Sequence, residues 1–166
     1  MTRTRRDTLA PEALQRLKDG NGRYANNLRS VDSMLSHNRR DDLLDGPQAP
    51  IAIVLGCSDS RAPAETVFDC GLGDLFVIRV AGNIVAPSQI GSIEFAAERF
   101  GTRLVVVMGH TRCGAIEAAI ESLTGTASES RNLRSIERTG SRVRDRDPRV
   151  RSHPRPAEHA RSSDMP

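Results

Sequence analysis

No apolar run in this sequence is long enough to cross a bilayer. The two longest, Ile51–Leu55 and Leu104–Met108, fall far short of the ~20 residues a membrane helix needs. Met1 to Gln15 has basic residues but no apolar core and no small-residue cleavage site, so no signal peptide is expected. Cysteine is scarce, three in 166 residues. That excludes a disulfide framework and suits a reducing compartment and metal binding. Together these absences predict a soluble, cytoplasmic chain with no membrane partner. Apolar content is also low at 37%, and the shortfall is local. From Arg131 onward ten arginines face five acidic residues, a balance of +5, whereas the first 130 residues balance to −2. A nucleic-acid binder wants its basic face on the folded part, so no nucleic-acid partner is expected.

The length suits one domain with a sizeable core. Residues 8–28 read as an N-terminal helical arm, with Leu14, Leu17, Tyr24 and Leu28 at helical spacing. Gly20-Asn21-Gly22 interrupts that pattern, so two shorter helices are an alternative. The stripe can pack on its own domain or on a second subunit. Leu43 and Leu44 can anchor a short helix in the polar stretch that follows. Ile51–Leu55 shows no polar alternation, the pattern of a strand buried on both faces of a parallel sheet. A helix from Pro63 to Phe68, a strand over Leu75–Val80, a helix over Ser92–Phe100 capped by Gly101, a strand over Leu104–Met108 and a helix over Gly114–Leu123 follow. The alternation predicts an α/β fold with a parallel-stranded central sheet flanked by helices. Residues 1–136 form the predicted domain. Residues 137–166, rich in Arg, Pro and Ser, form a tail too poor in apolar residues to offset its ordering entropy, and disorder is expected there.

Two loops carry the chemistry. Gly56-Cys57-Ser58-Asp59-Ser60-Arg61 follows the first strand and Gly109-His110-Thr111-Arg112-Cys113 the third. In open parallel sheets ligands gather beyond the carboxyl ends of the strands, where both loops lie. Any one of these cysteines alone reads as a small buried core residue. The set Cys57, His110 and Cys113, with Asp59 or water as a fourth ligand, reads as a zinc site. Cys70 has no such surroundings and reads as a packed or surface thiol. Asp59 and Arg61 are two residues apart. A guanidinium can hold a carboxylate bidentately. With Asp59 paired, the fourth metal position is open. With Asp59 freed, the carboxylate can close it.

Cys57-Ser58-Asp59-Ser60-Arg61 with Gly109-His110-Thr111-Arg112-Cys113-Gly114 resembles the β-class carbonic anhydrases. Ala81-Gly82-Asn83, Gly91-Ser92-Ile93-Glu94-Phe95 and Gly20-Asn21-Gly22-Arg23-Tyr24 are similar to that family as well, and the likeness covers about residues 10 to 136. The resemblance implies one Zn²⁺ per chain on Cys57, His110 and Cys113, with Asp59 and Arg61 as a catalytic dyad. It places Gln48, Phe76 and Phe95 on the substrate side, with plain core packing as the other reading of the two rings. It implies reversible hydration of carbon dioxide to bicarbonate and a proton by a zinc-bound hydroxide, in a homodimer or dimer of dimers. No proton-shuttle histidine stands out: His37 is in a polar loop, and His153 and His159 are in the tail.

The family continues into a further strand, and nothing apolar enough for one follows Ile136. The last family strand is therefore expected to be missing, as in a shifted reading frame or a decayed end, leaving a sheet edge unpaired. A non-catalytic zinc-binding relic or interaction protein, and a related zinc hydrolase of a small CO2-like molecule, are the alternatives to a working carbonate dehydratase.

Overall fold

The computed structural model describes residues 8–31, 38–122 and 129–138. His37, His153, His159 and the tail beyond residue 138 lie outside the described residues.

Helix α1 spans Ala10–Ala25 and α2 Asn38–Asp45. Strand β1 (Ala52–Gly56), the single turn α3 (Ala64–Val67) and β2 (Leu75–Arg79) follow. A 3₁₀ turn at Ala81–Asn83 leads to α4 (Pro87–Phe100), β3 (Val105–Met108) and α5 (Gly114–Ser122). The sheet is parallel in the order β2-β1-β3, with Gly56 opposite Arg79 on one side and Met108 on the other. This is the predicted α/β layout. All five residues of β1 are buried, as its unbroken apolar run requires.

Side chains alternate across the sheet. Ala52, Val54, Leu75, Val77, Leu104, Val106 and Met108 share the core with Ala13 and Leu17 of α1 and Ala64 and Cys70 from the α3 region. On the opposite face α4 lies across β1 and β2. There Phe76 meets Phe95 and Phe100 at ring-centroid distances of 6.3 and 5.8 Å. Val105 and Val107 of β3 are left 44% and 62% exposed. Among the described residues β3 is an edge strand, and no strand follows it.

Helix α1 is one helix, not two. Its buried face is Ala13, Leu17 and Gly20, whereas Leu14, Tyr24 and Leu28 of the expected stripe are exposed. Gly20 interrupts the apolar pattern because the helix touches the next element there: a Cβ would stand 1.9 Å from the Phe68 carbonyl oxygen. The arm packs on its own domain. The fully buried Asp69 carboxylate accepts Arg23 Nε at 2.6 Å and the Ser30 amide at 2.9 Å, pinning the C-terminal end of the arm. Leu43 anchors α2 against Gly73, while Leu44 is exposed. Helix α4 starts five residues before the expected Ser92, at Pro87, a residue suited to a first turn. It ends at Gly101 in the left-handed conformation (φ 68°), as the sequence predicts. Residues 133–138 are helical and Glu137 is buried, so this turn runs across the 136/137 boundary drawn from composition.

Candidate metal centre

β1 delivers Cys57 one residue past its carboxyl end, and β3 delivers His110 two residues past its own. Because Gly56 and Met108 are register partners, the two loops emerge side by side. One ligand atom each from Cys57, His110 and Cys113 lies within 4.8 Å of the others. The two sulfurs are 3.8 Å apart, within S–H···S hydrogen-bond range and without a disulfide. A tetrahedral zinc with 2.3 Å bonds to sulfur spans about 3.8 Å between them. Both thiols are buried.

His110 is oriented for a metal. Its Nδ1 donates to the Thr111 carbonyl at 2.9 Å, so that in the neutral ring the lone pair is on Nε2. Among the described residues Nε2 is a buried side-chain polar atom with no hydrogen-bond partner. An imidazole nitrogen facing two buried thiols is a donor set that fits Zn²⁺. Burial pushes the Cys57 thiol up. His110, the backbone amides of Asp59 and Gly82, and Cys113 outweigh it and bring it to about 7. Interaction with Cys57, although it lacks full hydrogen-bond geometry at Nε2, raises His110, and the Thr111 carbonyl adds to this against burial. The Gly82 amide donates to Cys57 Sγ at 3.3 Å. It reaches there from φ 69°, with Ala115 3.1 Å from where a Cβ would stand, so glycine is required.

Asp59 stands outside the three-residue cluster, its carboxylate held by Arg61. Arg61 donates from its backbone N and Nε to Oδ1, both at 2.9 Å, and from Nη2 to Oδ2 at 2.8 Å. These bonds hold the Asp59 carboxyl well below the usual carboxylate range and raise Arg61 in turn. Arg61 Nη2 also donates to the carbonyl of Arg112, which lies between the two ligands of the other loop with φ 54°. The guanidinium thus bridges both loops. Gln48, half-buried before β1, is in neither the metal cluster nor the aromatic trio. Phe76 and Phe95 meet, with Phe95 54% exposed. Cys70 is packed in the core, and burial and then Asp74 push its thiol up to about 11. Sequence reasoning missed Arg79 and Phe100, and it quoted Gly82 in a family-like motif without giving it a role. Arg79 ending an apolar strand, and a glycine after it, were the signals available.

An α/β fold with a Cys₂His cluster and an Asp–Arg pair at the carboxyl edge of a parallel sheet carries a candidate metal site whose donors are those zinc prefers. Residues 52–165 match the family model described as carbonic anhydrase. The chain belongs to the carbonic anhydrase family, in its β class. Carbonic anhydrase 2 of Mycobacterium tuberculosis is 42% identical over 111 residues, 67% of this chain and 53% of that protein. A carbonic anhydrase of Mycolicibacterium smegmatis matches to the same extent. The chain thus spans about half the length of these curated relatives. Among solved structures, the β-carbonic anhydrase CafA of Aspergillus fumigatus aligns with a TM-score of 0.58 at 28% identity. The alignment covers 80% of this chain and 61% of that one. The β-carbonic anhydrase CcaA aligns with a TM-score of 0.54 at 26% identity, over 80% and 64%.

Proposed function

We propose that the chain interconverts carbon dioxide and bicarbonate, using one zinc ion per chain held by Cys57, His110 and Cys113. One observation carries this reading: three ligand atoms meet within 4.8 Å, one from a histidine whose buried Nε2 has no hydrogen-bond partner among the described residues, in a chain of this family. Bound there, zinc supplies a Lewis acid that brings the acidity of water near neutrality.

The chain's own residues do the rest. The Thr111 carbonyl holds the His110 ring so that Nε2 points inward. Gly82 N–H stabilises negative charge on Cys57 Sγ. Asp59, kept ionised by Arg61, is a hydrogen-bond acceptor throughout the working pH range. In this reading it takes a hydrogen bond from the attacking water and fixes its orientation. With both its oxygens held by Arg61, it also leaves the fourth metal position to solvent and substrate. Gln48, Phe76 and Phe95 are assigned to the substrate side, where an apolar wall suits a molecule as weakly polar as carbon dioxide. Assembly as a homodimer or dimer of dimers belongs to the same reading. It is supported by the apolar area that Val105, Val107 and Phe95 leave uncovered.

Stopped-flow hydration of carbon dioxide by purified protein of known zinc content tests the function. Hydration above the uncatalysed rate that falls about 10–100-fold in Asp59→Ala supports it. A zinc-loaded chain without hydration would leave the non-catalytic zinc-binding alternative. Turnover confined to another small CO2-like molecule would leave the related-hydrolase alternative.

A further inference from the structure

Arg79 is the last residue of β2, opposite Gly56 in the register. Its side chain crosses to the loop after β1. Nε donates to the Cys57 carbonyl at 2.9 Å, and Nη2 to the Asp59 carbonyl at 2.7 Å. These carbonyls bracket three residues, one a candidate metal ligand and another the acidic half of the Asp–Arg pair. The backbone alongside continues the strand pairing, with Val80 N donating to the Gly56 carbonyl at 3.2 Å and Ser58 N to the Val80 carbonyl at 3.3 Å.

We infer that Arg79 is a positioning residue for the metal centre. Its fork fixes the backbone from Cys57 to Asp59, so that Cys57 Sγ stays in the ligand cluster and the Asp59 carboxylate stays on Arg61. The inference rests on the metal reading above. Three observations carry it beyond an exposed arginine at a strand end. First, both bonds go to main-chain oxygens of one short loop, so they set backbone position and leave side-chain charges alone. Second, only a planar guanidinium offers two donors with a fixed divergence, and an ionised donor makes each bond shorter and stronger than a neutral one. Third, Asp59 meets Arg61 through both carboxylate oxygens, a geometry that tolerates about 0.5 Å of backbone error. Arg61 is bonded to the second loop through the Arg112 carbonyl. The restraint Arg79 imposes on the first loop is therefore passed to the pair that joins the two. Arg79 reaches neither the ligand cluster nor the carboxylate itself, so it acts through Cys57 and Asp59.

The test compares Arg79→Met and Arg79→Lys with the unaltered full chain, each loaded with cobalt(II) in place of zinc. Cobalt visible absorption reports the metal's surroundings without requiring turnover. Zinc-loaded samples give kcat and KM for carbon dioxide, and thermal unfolding reports the scaffold. Arg79→Met should shift the cobalt absorption and lower kcat about 10–100-fold, the usual cost of losing an outer partner of a metal site, with KM little changed. Arg79→Lys, which restores one donor, should fall between it and the parent. Thermal midpoints should stay close, because Arg79 is exposed. A cobalt spectrum and kcat in Arg79→Met that match the parent would overturn the inference. So would equal losses in both variants accompanied by lowered midpoints, which mark a scaffold residue. A parent chain that takes up no cobalt would overturn the metal reading itself, a result distinct from either.

Discussion

Asp59 and Arg61 are two residues apart, and their mutual grip sets what each can do. The pair makes three hydrogen bonds between them. Since the folded carboxyl lies below its ordinary value of about 3.9, the pair's contribution is complete above that value. It is lost only as pH falls through the lower folded value. Carbon-13 NMR of the Asp59 carboxyl should therefore show no titration between pH 4 and 9, while Arg61→Ala should bring a midpoint back to about 3.9. Asp59→Ala and Arg61→Ala should keep their zinc by metal analysis and lose activity about 10–100-fold. Full activity in either would remove the pair from the mechanism. Cys57 gives a second prediction. Its thiol is lowered from 9.0 to about 7, so in metal-free protein its stabilising effect is complete above 9.0 and fades as pH falls through about 7. Ultraviolet thiolate absorbance should show one group titrating near 7 and another, Cys70, near 11. His110→Ala should move the first midpoint upward. The clustering of Cys57, His110 and Cys113 was legible in the sequence because it follows from side-chain type and from the strands that precede the two loops. The contacts of Arg79 and Gly82 were not, because they are made to main-chain atoms and to a thiol 22 and 25 residues away.

At the scale of elements, strands were easier to read than helix faces. β1 is a continuous apolar run buried on both sides, and among the described residues no other strand has that pattern. In α1 the large residues misled. Leu14, Tyr24 and Leu28 suggested the packed face, but close approach to α3 selects small residues, and the buried line is Ala13, Leu17, Gly20. Two neighbouring glycines separate these effects. Gly20→Ala drives a methyl group into the Phe68 carbonyl and should cost about 1–3 kcal/mol by urea unfolding. Gly22→Ala meets nothing within 4 Å and should gain about 0.5–1 kcal/mol from reduced chain entropy. Similar effects at both positions would contradict the close packing of α1 on α3. For β3 the sequence gives an apolar run without saying which residues find cover. Val106 and Met108 join the core, and Val105 and Val107 do not.

For the whole molecule, the parallel sheet is what makes a site out of two distant loops. Its register brings residues 57 and 110 to one edge, although 53 positions separate them in the chain. The α/β alternation made that edge legible in advance, because strand order and strand direction together fix where loops meet. The extent of uncovered apolar surface on β3 was not legible, since it depends on what packs there and not on local pattern. Among the described residues no helix is long and apolar enough to cross a membrane. The family match and the Cys57–His110–Cys113 cluster support the central proposal, hydration of carbon dioxide with zinc. The most direct test is stopped-flow hydration at about pH 8.5 on chelated protein titrated with zinc. The prediction is a rate that rises in proportion to added zinc, levels off at one equivalent per chain, and stays at background in Cys57→Ser. A rate that remains at background after one zinc is bound, or that rises equally in Cys57→Ser, would contradict the account.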